Sequence, residues 1–171
     1  MATKPKVYRQ GKPEPWAKKL YSVKKPKDKN QTMAMSGCGA TAGAIVAATM
    51  VDPKITPWDI AQLFMAKGFR TKNNGTLFSA FKWLFKRYKG KGIRKFAAGK
   101  GKKNMMKALD QGAYLVCNMG KGYWTKNGHY IVVWKYDDKY FYAVDPASAK
   151  RTKQEIGQFT KECKRVAAFY P

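Results

Sequence analysis

A chain of 171 residues that is 44% hydrophobic and 14% aromatic has room for one domain with a real core, not for two, and is too apolar to be a disordered protein. With 35 Lys and Arg against 10 Asp and Glu, its formal charge is +25, which calls for a polyanionic partner. Only six of the basic residues are arginines, and a lysine field suits retention on a polymer better than the readout of a base sequence. Nucleic acid is therefore expected only as a non-specific polyanion. Three cysteines without a C-x-x-C pair, beside a single histidine, cannot build an ordinary Cys/His zinc site or a disulfide framework, so neither a metal nor another cofactor is expected.

Met1 to Lys6 reads as a disordered tail. Tyr8, Trp16, Leu20 and Tyr21 then look like anchors strapping an irregular segment onto the body, and Lys24 to Asn30, with its lysines and Pro26, reads as a loop. Nothing in the first 30 residues resembles the apolar core of a signal peptide, and the run from Gly39 to Val51 is too short to span a bilayer. The expectation is a monomer without a membrane span, made in the cytoplasm and dependent on another factor for any export.

Ser36-Gly37-Cys38-Gly39-Ala40-Thr41 marks the passage from a loop into a segment of small apolar residues ending at Val51. With no charged face, this segment predicts a helix buried on all sides. Cys38 falls in its first turn, where unpaired N–H groups and the helix dipole lower a thiol's pKa. The flanking Gly37 and Gly39 are expected to let a substrate backbone approach the sulfur and to permit unusual dihedrals. A lone cysteine beside an apolar helix is also an ordinary packing residue.

Thr56-Pro57-Trp58-Asp59 supplies a cap, a first-turn proline and an early acid for a helix that Gly68 ends. Asn73-Asn74-Gly75 forms a turn, Thr76 is a candidate cap, and Leu77, Phe78, Phe81, Leu84, Phe85 and Tyr88 recur at helical spacing. No acidic residue occurs between Asp59 and Asp110, a one-sidedness that fits an anionic partner. Residues 92–97 predict a short strand and 102–110 a helix. The second half changes period: 113–119, 129–136, 139–144 and 165–169 are rich in β-branched and aromatic residues, and Thr152-Lys153-Gln154-Glu155 offers a capping box for a short helix. Helices first and an antiparallel sheet second define an α+β fold.

Because His129 is the only histidine, any Cys/His chemistry must use it. It follows Asn127-Gly128 and opens an apolar strand, and a two-residue turn at Asp137-Asp138 would set it opposite Pro146, one residue from Asp145. A bulge or longer loop would bring Asp145 directly opposite. A carboxylate there fixes the imidazole tautomer and stabilises its cation. Asp145 before a proline is equally at home as a turn residue.

Gln31, the Ser36-Gly37-Cys38-Gly39 loop, Gly128-His129-Tyr130 and Asp145-Pro146, in that order, resemble the papain-like cysteine peptidases. The branch they match is that of the double-glycine leader peptidases and of cell-wall hydrolases of bacteria and their phages. The resemblance covers roughly residues 8 to 170, with Ala40 standing where many relatives have proline. It implies a papain-like fold in which N-terminal helices, one carrying the cysteine, pack on a C-terminal antiparallel sheet. It also implies a Cys38/His129/Asp145 triad, with the Cys38 N–H and the Gln31 amide holding the oxyanion. Gln31 lies seven residues before Cys38, whereas such enzymes place this glutamine about six before, so Asn30 and Ser36 stand as alternative donors. The loops 121–128, with Tyr123, Trp124 and Gly128, and 73–76, with Asn74 and Gly75, are expected to line the cleft, and Cys117 and Cys163 to be structural.

Three functions follow from this reading. The lysines and the missing signal peptide favour a peptidase or amidase acting on peptidoglycan or another anionic wall polymer, as a lysin does. The alternatives are a leader-peptide processing peptidase and an inactive polyanion-binding protein on the same fold.

Overall fold

The computed structural model describes residues 1–24, 28–72 and 75–171. A single helical turn, α1 (Met33–Ser36), passes through Gly37 into α2 (Cys38–Met50), in which every residue from Gly39 to Ala48 is buried. Alanines and glycines on all sides leave α2 no polar face for water, so neighbouring elements close around it. One neighbour is α3 (Pro57–Ala66), which opens with the expected cap: the Thr56 hydroxyl accepts from the Asp59 N–H and the Asp59 carboxylate from the Thr56 N–H. Another is α4 (Ser79–Tyr88), whose buried Ala80, Phe81 and Leu84 form its inward stripe. Thr76 does not cap α4. Its hydroxyl bonds with the Tyr21 hydroxyl at 2.6 Å, and its carbonyl accepts from the Tyr130 hydroxyl at 2.9 Å.

The sheet follows as β1 (Lys95–Ala98), β2 (Tyr114–Met119), β3 (His129–Tyr136), β4 (Tyr140–Val144), β5 (Lys153–Glu155) and β6 (Cys163–Tyr170), with α5 (Lys102–Asp110) and α6 (Ile156–Glu162) between them. Its order is β1-β6-β2-β3-β4-β5 and every pairing is antiparallel. Alternation along the strands divides the core into two layers. Val116, Tyr130, Val132, Ala167 and Phe169 face the layer of α2, α3 and α4, while Leu115, Cys117, Ile131, Val133 and Phe141 face that of α5 and α6. This is the expected α+β architecture.

Three local expectations fail for identifiable reasons. Residues 1–6 are not a loose tail: Pro5 is buried, the Tyr114 hydroxyl donates to the Thr3 carbonyl at 2.9 Å, and the Lys6 N–H donates to Thr49 Oγ1. Thr152 to Glu155 is not a capping box, because residues 153–155 pair with Tyr140 to Tyr142 as β5 and leave the helix to begin at Ile156. The β3–β4 connection is longer than two residues, since Asp137 draws the turn around its own carboxylate, accepting from the Lys139 and Tyr140 N–H groups and the Tyr142 hydroxyl.

Candidate active site

Cys38 is the first residue of α2, so its N–H has no partner four residues back within the helix. The thiol is half-buried and faces the start of β3. Burial alone would hold the thiol pKa up, but a hydrogen bond and charge from His129, with the Tyr130 and Gly39 backbones, outweigh it and bring the pKa below its usual value.

His129 opens β3, paired with Met119 of β2, and is 8% exposed. Its Nε2 lies 2.6 Å from Asp145 Oδ1, which leaves Nδ1 for the Cys38 thiol. Desolvation works against the imidazolium, yet Asp145 and Cys38 overcome it and raise the His129 pKa to about 9. Asp145, 1% exposed, would be driven toward its neutral form by burial. It is held ionised by His129, by the Ala147 N–H at 2.7 Å and by Arg151 Nε at 2.7 Å.

The route by which Asp145 reaches His129 differs from the expected one. Tyr136 pairs with Phe141 and Lys135 with Tyr142, a bulge follows, and Val133 and Val132 then pair with Ala143 and Val144. The extra residue is on β3, so the bulge carries Asp145 toward Ile131 instead of placing it opposite His129. The contact is made along the diagonal of the ladder, which a carboxylate and an imidazole are long enough to close. Asp145 is a turn residue as well, accepting from the N–H two residues on.

Gln31 is not brought to the cleft. Its Oε1 accepts from Arg70 Nη2 at 2.8 Å, and Arg70, itself buried, also donates to the Tyr21 carbonyl. The glutamine that shares a cavity with the thiol is Gln10, 6% exposed, which borders a space of about 510 Å³ together with Cys38 and His129. Its Nε2 donates to the Ala34 carbonyl at 2.8 Å and its N–H to the Pro146 carbonyl at 2.8 Å. Its buried Oε1 has no hydrogen-bond partner among the described residues. The strap thus ties the segment before Cys38 to the one after Asp145. Sequence reading missed Gln10 and Arg151, and the only signal for Gln10 was its place between the Tyr8 and Trp16 anchors.

Gly37 and Gly39 provide room within the fold, and neither borders a cavity at Cys38. Gly37 has an ordinary φ of −86°, and a methyl there would meet the Met33 carbonyl oxygen at 2.5 Å. One on Gly39 would meet Thr76 at 2.5 Å. Gly75 and Gly128 border a second cavity, of about 560 Å³, on Cys38 and His129, while Asn74 lies outside the described residues. Tyr123, 49% exposed, borders the Gln10 cavity. Trp124 touches the same cavity but is a core residue, its Nε1 donating to Gln154 at 2.6 Å and its ring packed on Phe159. Cys117 and Cys163 are buried, free and adjacent to one another on β2 and β6. Among the described residues no three His, Cys, Asp or Glu side chains group as a metal site, and no helix is long and apolar enough to cross a membrane.

A helix-borne thiol set against a histidine that opens a strand of an antiparallel sheet defines a papain-like cysteine peptidase. Residues 20–169 match the Peptidase_C39 like family, and the chain belongs to it. Its fold is similar to the peptidase domain of Streptococcus ComA, a bi-functional ABC transporter involved in a quorum sensing pathway, with 21% identity, a TM-score of 0.58, and coverage of 80% of this chain and 92% of that one. It is also similar to a putative C39-like peptidase from Bacillus anthracis, with 17% identity, a TM-score of 0.53, and coverage of 80% and 89%. No curated protein matches the chain.

Proposed function

We propose that the protein hydrolyses an amide bond in the peptides of a bacterial wall polymer, with Cys38 as nucleophile, His129 as proton carrier and Asp145 as its orienting carboxylate. The observation that carries this reading is His129 held between the Cys38 thiol and Asp145, 2.6 Å from the carboxylate. The Cys38 thiolate adds to the carbonyl carbon, and the proton on His129 passes to the departing amine, leaving a thioester. Water, giving its proton to His129, then releases the acid and restores the pair. The oxyanion formed in each step sits between the Cys38 N–H and Gln10 Nε2, which has a second proton beyond the one given to Ala34.

The wall as substrate is supported by the charge of +25, since wall polymers are anionic and an excess of lysine retains a protein on them. Processing of double-glycine leader peptides is the second reading, supported by the likeness of fold to the ComA domain. Purified walls and a synthetic double-glycine leader peptide, each incubated with the protein, separate the two. Clearing of walls without cleavage of the leader is expected. Cys38→Ala and His129→Ala should each abolish it with the circular dichroism spectrum unchanged, and clearing by either variant at the normal rate would end the cysteine-peptidase reading. Retention on DNA with no hydrolysis of either substrate would leave only polyanion binding.

A further inference from the structure

The two cavities that meet at Cys38 are bordered by cations and by no carboxylate among the described residues. In the Gln10 cavity the arginine is Arg151, which is engaged with Asp145 at 2.7 Å. In the larger one Lys164 and Arg165 of β6 stand without an ion-pair partner among the described residues. The acidic residue next to them in sequence, Glu162, turns its carboxylate to the Tyr123 N–H at 3.0 Å and to Gln158 Nε2 at 2.9 Å.

Both side chains are exposed, and each lies against a neighbour. The Arg165 guanidinium lies 5.6 Å from the centre of the Phe78 ring, which borders the same cavity, and stacking of this kind fixes the plane of the fork while its N–H edge stays free to donate. The stem of Lys164 crosses Gly120, where a methyl group would come within 2.7 Å of its Cε. An unpaired fork that borders the same cavity as a nucleophilic sulfur is suited to an anion taken by two parallel hydrogen bonds, and on a peptide substrate that anion is a carboxylate.

We propose that this arm of the cleft recognises a free carboxylate on the substrate, Arg165 binding it and Lys164 adding charge, so that the protein acts on acidic peptides. The inference rests on Cys38 being the nucleophile. It is tested with iodoacetamide, which is neutral: the thiolate forms a bond to its methylene carbon and iodide leaves. The rate of Cys38 labelling, read by mass spectrometry, is measured in the presence of a capped alanine pentapeptide containing two glutamates, and of its glutamine isostere, at fixed ionic strength.

The glutamate peptide should halve the labelling rate at about a tenfold lower concentration than the glutamine peptide. Arg165→Gln should erase that preference, and Arg165→Lys should restore only part of it, because an ammonium lacks the fork. Lys91→Gln removes the same charge beside Gly92, at the far end of α2 near Met50, and should leave the preference intact. Equal protection by the two peptides, or a preference that survives Arg165→Gln, would overturn the proposal. Failure of the nucleophile itself is read separately, without peptide, as labelling of Cys38 no faster in the wild type than in His129→Ala.

Discussion

Two protonation states decide what the cleft can do, and Asp145 sets one of them. Because burial lowers the His129 pKa while Asp145 and Cys38 raise it to about 9, an imidazolium able to protonate a leaving amine persists until the pH passes about 9. Activity should therefore fall on an alkaline limb near pH 9, with an acid limb below the ordinary thiol pKa where Cys38 regains its proton. The same shift is a stability statement. A histidine with its pKa raised on folding adds stability that is fully present below its unfolded value of about 6.5 and lost as the pH climbs through 9. Asp145→Asn removes the carboxylate that counters desolvation, so the alkaline limb should move toward neutrality and kcat fall much more than KM rises. Asp138→Asn, the same charge change at the turn, should do neither, and if Asp145→Asn behaves like it, the enzyme is a Cys/His dyad. The glutamines give a parallel comparison. Gln10→Ala should lower kcat by about 10²-fold or more as a lost oxyanion donor. Gln31→Ala should leave kcat and cost stability, about 1 to 3 kcal/mol, by depriving the buried Arg70 of an acceptor. Steady-state kinetics and thermal melts on the pair decide which glutamine serves the reaction.

At the scale of elements, what was legible in the sequence was whatever depends on near neighbours. The all-round apolar character of α2, the Thr56 cap and the alternation of β2 and β3 are local signals, and the order of cysteine, histidine and aspartate follows from where strands begin and end. The register of the β3–β4 hairpin was not legible, because a bulge past Val133 and the hydrogen bonds around Asp137 are set by side chains packing in three dimensions. Gln10 and Arg151 were hidden for the same reason, each meeting its partners only after distant segments come together. Gly39 shows how tightly such elements are fitted. Thr76 lies against it and also bonds with Tyr21 and Tyr130, so one methyl group at Gly39 must displace a residue tied to two others. Gly39→Ala should cost about 1 to 3 kcal/mol of stability and disturb activity with it, through the Tyr130 end of β3. A melting temperature unchanged from the wild type would show that α2 and the loop at Thr76 have slack the packing does not suggest. Asp137→Asn should weaken the hairpin, since its carboxylate, brought to a pKa of about 2 chiefly by the Tyr142 hydroxyl, organises that turn.

Over the whole molecule the charge acts differently from any single contact. A net +25 on 171 residues, mostly lysine, with no acid between Asp59 and Asp110, gives a field that reaches past the cleft and acts on a polymer as a whole. Such a field is screened once the Debye length falls below about 10 Å, near 0.1 M salt, whereas a bond at the catalytic groups is buried and screened much less. The charge and the chemistry are thus separable by ionic strength. Clearing of intact walls should fall steeply as salt rises through that range. Turnover of a short soluble peptide should fall less, keeping only the part of its salt dependence that comes from Lys164 and Arg165 at the cleft. Replacing several exposed lysines of α5 and the segment before it, Lys100, Lys102, Lys103 and Lys107, with glutamine should flatten the salt dependence on walls while leaving the peptide reaction where it was, because none of them borders the cavities at Cys38. Equal salt sensitivity for walls and peptide, in both the wild type and the lysine variant, would mean that the charge acts on the reaction itself and not on retention at the wall.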